Sequence, residues 1–272
     1  MAFVRSLWFF FALAVTLLFT TFVTGTSFIV NACAWRIRGH DSVALRRRYS
    51  AFMFRAARPI FAIFRTLMRI DAIFSFKGDP VAAPHQAIVV ANHRSLLDIF
   101  LLMALLPKMG YRDARWVLKQ ELGRIPLIGH VCRGQGSAFV DRRDPPKAKL
   151  AIERAATFAH RDGASLMIFP EGTRFTGPLE GPAPDGGPAF RNLRPPHLSG
   201  FVAMRRLMPE HDVLVVTIDW GGVTAKTMWQ LGRLLGCTIR IDVARHRGVP
   251  TDRTGEWLNA RWREMDERLS TY

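Results

Sequence analysis

Three cysteines in 272 residues, Cys33, Cys132 and Cys237, stand too far apart in sequence for a disulfide framework or a four-ligand zinc site. Their scarcity fits a reducing, cytosolic face. None of the eight histidines lies at metal-ligand spacing from another, so no metal is expected. Acidic residues are few, 22 against 38 lysines and arginines, which leaves a formal net charge of +16. No RNA- or DNA-binding signature accompanies that charge, which argues against nucleic acid as the partner. Internal repeats are absent, and so is a Gly-x-Ser-x-Gly turn that would present a nucleophilic serine. What the chain has in quantity is apolar surface, 49% of residues. High basicity combined with high apolarity points to an anionic phospholipid membrane. The length suits one catalytic-size domain with a small appendage.

The longest charge-free run is Leu7 to Val30. As a helix it is long enough to cross a hydrocarbon core of roughly 30 Å. Arg5 alone precedes it, whereas Arg36, Arg38, Arg46, Arg47 and Arg48 follow, so the downstream side is expected to be cytoplasmic. A secretory signal peptide is the competing reading, with Ala32-Cys33-Ala34 as a small-residue cleavage site. The length of the run and its basic flank favour an uncleaved anchor, and a helix dipping into one leaflet is a third option. From Ala51 to Ile70, Arg48, Arg55, Arg58, Arg65 and Arg69 recur at helical spacing as one stripe. Phe52, Phe54, Ile60, Phe61 and Phe64 are among the apolar residues covering the rest of the circumference. This pattern predicts a helix lying in the membrane interface, the alternative being a helix packed on the domain with its arginines in water.

From Phe74 onward, short apolar runs alternate with helical patterns. Strands are predicted at Phe74 to Lys77, Ala87 to Ala91, Arg115 to Leu118, Ser137 to Val140, Ser165 to Phe169, Val213 to Ile218 and Thr238 to Val243. Helices are predicted at Ser95 to Leu106, Pro146 to Arg161, Gly200 to Leu207 and Gly255 to Leu269. The alternation implies an α/β fold, a mostly parallel sheet flanked by helices. The division is therefore residues 1–73 as membrane anchor and interfacial helix, and 74–272 as the catalytic domain. Phe175 to Pro196, with six prolines and four glycines, reads as a surface loop, either a lid or a spacer.

Asn92-His93-Arg94-Ser95-Leu96-Leu97-Asp98 follows directly on the Ala87 to Ala91 run. His93 thus sits at the carboxyl end of a strand, where open α/β sheets place ligands. Ser95-x-x-Asp98 has capping-box form, which puts Asp98 in the first helical turn and swings its carboxylate back toward the imidazole. A carboxylate that accepts the proton of one ring nitrogen fixes the tautomer and leaves the other nitrogen as a base. The plainer reading is a capping carboxylate beside a solvated histidine. Ser95 is also a conceivable nucleophile, though a capping hydroxyl is normally occupied by backbone. Ser165 to Phe169 opens into a second such segment, Pro170-Glu171-Gly172-Thr173-Arg174.

With both segments in place the chain resembles the glycerolipid acyltransferase family, typified by bacterial lysophosphatidic acid acyltransferases, which pair His-x4-Asp with Phe-Pro-Glu-Gly-Thr-Arg. Two further blocks match: Lys119-Gln120-Glu121-Leu122 through Ile125-Pro126-Leu127-Ile128-Gly129, and Gly136-Ser137-Ala138-Phe139-Val140-Asp141-Arg142. The resemblance runs from about Phe74 to Asp219. It departs at Thr217, where the family's fourth block carries a proline. Thr217, Phe175-Thr176 and Leu193-Arg194-Pro195-Pro196 look more like the branch that includes lysocardiolipin and lysophosphatidylglycerol acyltransferases.

The resemblance implies a membrane-bound enzyme on the cytoplasmic face, as in a bacterial inner membrane. It would move a fatty acyl group from acyl-CoA or acyl-carrier protein to the free hydroxyl of a lysophospholipid. The first-choice acceptor is 1-acylglycerol-3-phosphate, giving phosphatidic acid, and no resident cofactor is needed. His93 would be the general base and Asp98 its orienting carboxylate. Glu171, Gly172, Thr173 and Arg174 would bind the acceptor, with Glu171 accepting from a glycerol hydroxyl. Lys119 and Arg142 would face its phosphate or those of coenzyme A. The rivals are the same chemistry on lysophosphatidylglycerol, lysocardiolipin or another lysolipid, a thioesterase, and a catalytically silent membrane lipid-binding protein.

Overall fold

The apolar run Ala87–Ala91 forms a fully buried strand, β2, in the computed structural model of the chain. The structure describes residues 43–77, 86–178, 183, 186–225 and 227–271, with eight isolated positions between 7 and 33. Among the described residues seven strands make one sheet: β1 (Asp71–Lys77), β2, β3 (Ala114–Lys119), β4 (Ala138–Val140), β5 (Ser165–Ile168), β6 (Asp212–Asp219) and β7 (Thr238–His246). Their order is β1-β7-β6-β2-β5-β3-β4. Every pairing is parallel except β6 with β7, so the mostly parallel α/β fold expected from the alternation is present. β2, β5 and β6 are buried along their whole length because helices cover them on both faces.

Among the described residues the helices that flank the sheet are α1 (Val43–Leu67), α2 (Asp98–Leu105), α3 (Pro126–Gly134), α4 (Pro145–Asp162), α5 (Leu198–Leu207) and α6 (Thr254–Leu269). α1, α2 and α3 contribute Phe61, Leu102 and Cys132 to a core on one face of the sheet. α4, α5 and α6 contribute Ala156, Phe201 and Trp262 to a core on the other. β2 leads into α2 on the first face, whereas β5 leads toward α5 on the second. Adjacent strands whose connections leave to opposite faces open a crevice at their carboxyl ends. That crevice is where His93 and Glu171 lie.

α1 resolves one of the alternatives left open by the sequence. Arg48, Arg55, Arg58, Arg65 and Arg69 are all exposed, as the stripe predicts. The aromatic face expected to meet lipid packs into the protein instead: Phe52, Phe54, Phe61 and Phe64 are each at most 9% exposed. Tyr49 Oη pairs with His130 Nε2 of α3 at 2.8 Å. Arg46, near the start of α1, donates to Asp162 at the end of α4 (3.0 Å), and Arg115 of β3 donates to the same carboxylate (3.1 Å). Burial would raise the Asp162 carboxyl, but these two guanidiniums outweigh it and hold it below its ordinary value.

Leu7, Trp8, Phe10, Phe11 and Leu18 are helical and exposed, and Trp8 Nε1 donates to the Leu67 carbonyl. The rest of the expected anchor, Leu7 to Val30, lies almost wholly outside the described residues. Among the described residues no helix is long and apolar enough to cross a membrane.

α4 starts where expected because Asp144 caps it, accepting from Lys147 N–H (3.1 Å), and stops at Gly163, which has φ +66°. α3 is not legible beforehand, since Pro126–Gly134 carries two glycines. Gly129 is there for close approach: a Cβ would stand 2.2 Å from the Gly123 carbonyl oxygen. The segment after Arg174, expected as a surface loop, forms no helix or strand among its described residues. It nevertheless buries Phe190 and Leu193 in the second core. Arg191 and Asn192 donate their backbone N–H groups to Asp266 of α6 at 2.9 and 2.7 Å.

Candidate active site

Where β2 ends, Asn92 continues its pairing through a side chain. Asn92 Nδ2 donates to the Ile218 carbonyl (2.8 Å), and Asn92 Oδ1 accepts from the Ile218 N–H (2.7 Å). His93 is gripped next. Its N–H donates to Glu171 Oε1 (2.8 Å), and its carbonyl accepts from Phe175 N–H (2.7 Å). The Arg94 carbonyl accepts from Ala225 N–H at 3.1 Å. Chain from the ends of β5 and β6 therefore holds the backbone at and beside the histidine.

Asp98 lies within reach of four donors. Its Oδ2 accepts from the Arg94 and Ser95 N–H groups (2.7 and 2.8 Å) and faces His93 Nδ1 at 2.8 Å. Its Oδ1 accepts from Trp220 Nε1 at 2.7 Å. The carboxylate is fully buried, so these donors set its plane. A carboxylate facing Nδ1 makes that nitrogen the protonated one and leaves the Nε2 lone pair free. The imidazole stacks on Phe169, ring centroids 4.2 Å apart and planes 21° apart. Its side chain is 15% exposed, enough to meet a ligand.

The expected capping box is only half formed. Ser95 N–H reaches Asp98, but Ser95 Oγ accepts from Leu97 N–H (3.2 Å), and the helix begins at Asp98 rather than Ser95. Ser95 is fully buried with that hydroxyl occupied, which removes it as a nucleophile.

Glu171 is placed differently from the role the resemblance implies. Its Oε1 accepts from His93 N–H and its Oε2 from Arg194 N–H (3.0 Å), and the residue is 1% exposed. It braces the two walls of the crevice instead of presenting itself to a glycerol hydroxyl. Burial pushes its carboxyl up to about 8, against the opposing pull of the Arg194 and His93 N–H groups and of Arg94. Gly172 follows at φ +70°, a conformation that L side chains rarely adopt. Thr173 is half-buried beside it.

Arg174 Nη1 is buried and has no hydrogen-bond partner among the described residues. Burial lowers this guanidinium and Asp98 raises it, which places the cation beside the dyad. Arg94 is engaged, donating to the Asn192 carbonyl (3.0 Å) and lying over the Phe175 ring (5.2 Å). Lys119 is the last residue of β3, and Arg142 stands two residues past the carboxyl end of β4. Lys119 is exposed and paired with Glu121 at 2.9 Å. Arg142 is exposed beside Gly172: a Cβ there would lie 3.4 Å from Arg142 Nε and 3.0 Å from His197 Cδ2.

Thr217 is buried on the α6 side of β6, lining a cavity of about 400 Å³ with Arg261 and Arg268. Among the described residues no group of three or more His, Cys, Asp or Glu could hold a metal. Trp220, Arg194 and His197 are the site neighbours that sequence reading missed. Trp220 stands 122 residues from Asp98, and no local spacing links the two.

A dyad with a free ring nitrogen, an unpartnered buried guanidinium and an open carboxyl-edge crevice can take a proton beside an anion. The family model described as Acyltransferase matches residues 74–219. A 1-acyl-sn-glycerol-3-phosphate acyltransferase of Helicobacter pylori is 39% identical over 90 residues, 33% of this chain and 36% of that protein. A lyso-ornithine lipid O-acyltransferase of Rhodobacter capsulatus is 39% identical over 104 residues, 38% of this chain and 34% of that protein. The chain thus spans about a third of the length of these curated relatives. The crystal structure of the 1-acyl-sn-glycerophosphate acyltransferase PlsC from Thermotoga maritima shares the fold. Its TM-score is 0.59 at 19% identity, covering 99% of this chain and 96% of that one.

Proposed function

The chain belongs to the acyltransferase family, and from that premise we propose that it transfers a fatty acyl group from acyl-CoA or acyl-carrier protein to a lysophospholipid hydroxyl at a membrane. 1-Acylglycerol-3-phosphate is the acceptor we place first. The observation that carries this reading is the 2.8 Å contact between His93 Nδ1 and Asp98, with Nε2 left free. Nε2 removes the proton of the acceptor hydroxyl as its oxygen attacks the thioester carbonyl. The tetrahedral adduct collapses, the carbon–sulfur bond breaks, and the thiolate takes the proton back from the imidazolium. Asp98 stabilises that imidazolium without being protonated itself. A thioester is already electrophilic, so general-base help of about 10²–10⁴-fold suits the step. Arg174, with its unsatisfied nitrogen, supplies positive charge for an anionic headgroup.

Relatives named for lyso-ornithine lipid support a second acceptor class with the same chemistry. Membrane attachment draws on the apolar Leu7 to Val30 run and the exposed arginine stripe of α1. The test is purified protein, radiolabelled acyl-CoA and a panel of lysolipids. His93→Ala is expected to abolish transfer with lipid binding retained. Unchanged transfer by that variant would overturn the assignment of the base. Free fatty acid released at equal rates with and without lysolipid would make the protein a thioesterase.

A further inference from the structure

Asp219 closes β6, and its carboxylate accepts from the Gly221 and Gly222 N–H groups at 3.1 and 3.0 Å. Both glycines lie at positive φ, +62° and +74°, so the chain turns sharply as it leaves the sheet. It then runs back across the His93–Asp98 loop. Ala225 N–H donates to the Arg94 carbonyl (3.1 Å), and the Ala225 carbonyl accepts from Leu96 N–H (3.4 Å). Trp220 stands at the head of this turn, one residue beyond the stretch that the family model matches. It is wholly buried in the first core, and its indole N–H donates to Asp98 Oδ1 at 2.7 Å.

The two oxygens of Asp98 are used unequally. Oδ2 meets His93 Nδ1 and the Arg94 and Ser95 N–H groups, whereas Oδ1 meets the indole. A buried carboxylate oxygen without a donor is costly, and the group can turn about its Cβ–Cγ bond to relieve that cost. A donated hydrogen bond also draws negative charge off a carboxylate. The indole therefore holds the plane in which Oδ2 faces the imidazole, and it limits how strongly Asp98 retains a proton on that ring. Arg94, Arg174 and Glu171 lie within charge–charge reach of Asp98, and Asp219 acts on Arg94. Among the described residues none of these four side chains hydrogen-bonds to Asp98. The indole and the imidazole do.

We propose that Trp220 is a positioning residue of the reaction: its N–H orients Asp98 and keeps His93 neutral, and so able to act as a base, in the resting enzyme. The inference rests on the acyltransferase reading and adds to it a residue outside the motifs that carry the base. A general base must be unprotonated when the acceptor arrives. With Oδ1 bare, Asp98 would stabilise the imidazolium more, and the site would be blocked by a proton at a pH where the parent is active.

The test replaces Trp220 by 3-benzothienylalanine, which keeps the shape of the indole with sulfur in place of the N–H. Trp220→Phe is the second variant, and acyl-CoA and 1-acylglycerol-3-phosphate are the substrates. The benzothienyl protein should lose about 10-fold in kcat at pH 7 with both KM values near those of the parent. The acid limb of its kcat/KM profile should move up by about half a pH unit or more. Trp220→Phe should show the same shift of the limb together with a lower melting temperature, since ring volume is also lost. Parental kcat and pH profile in the benzothienyl protein would overturn the proposal. A fall in kcat with the acid limb unmoved, or a change confined to KM, would make Trp220 a packing residue and overturn it too. In protein with 13C-labelled histidine, the pH midpoint of the His93 ring signals reads the contact without turnover and should rise in both variants. That rise in a protein without acyl transfer would sink the enzymatic reading and leave the hold of Trp220 on the dyad standing. An unmoved midpoint in an active enzyme would sink the proposal alone.

Discussion

Asp98 is the most densely bonded group at the candidate site, one carboxylate meeting four donors. Asparagine in its place offers a single acceptor oxygen, so at least one buried N–H faces an amide nitrogen instead. Asp98→Asn is expected to lower thermal stability by about 1–3 kcal/mol and acyl transfer by about 10²–10⁴-fold. Thermal denaturation and initial rates check the two numbers independently. Glu171 gives a different signature, one of pH. Its folded carboxyl sits near 8, well above its ordinary value, because burial penalises the charge. The stability it contributes is fully present below that ordinary value and is lost as pH rises through 8. Melting temperature measured from pH 5 to 9 should therefore fall more steeply for the parent than for Glu171→Gln, and parallel curves would contradict this origin.

Among the elements, α1 shows what periodicity can and cannot reveal. The spacing of Arg48, Arg55, Arg58, Arg65 and Arg69 correctly placed one face outside. It could not say whether lipid or protein covers Phe52, Phe54, Phe61 and Phe64, since both are apolar. The Arg46–Asp162–Arg115 cluster ties α1, α4 and β3 together, and its partners stand 116 and 47 residues apart. Asp162→Asn removes the carboxylate that the buried Arg46 and Arg115 share, and a loss of about 3–5 kcal/mol is expected, measured by urea denaturation. The strands were legible because each carries a short apolar run at its centre: Ala87 to Ala91 in β2, Leu166 to Ile168 in β5 and Val213 to Val216 in β6. α3 was not, since glycines at 129 and 134 hide its period and the close packing that requires Gly129 is tertiary. His93 and Asp98 were readable because they stand only five positions apart in the chain. Trp220 and Arg194 reach the same crevice only through the order of strands and the course of the 175–197 segment.

On the scale of the whole molecule, a net charge of +16 is spread over a surface that also exposes Ile73, Phe74, Ile125 and Ile128. The membrane attachment proposed above predicts that the protein sediments with anionic phospholipid vesicles and much less with neutral ones. Raising salt from low to about 0.5 M should release most of the electrostatic part, because screening then acts within a few ångströms. Equal binding to both vesicle types would leave the charge without that role.

The backbone of His93 is anchored by the turns after β5 and β6, whereas the wall carrying Arg194 and His197 comes from a stretch with no regular structure. On the proposed acyltransferase reading, changing the charge of side chains within 186–197 would retune which lipid is acylated, while the Phe175 N–H that holds the His93 carbonyl stays in place.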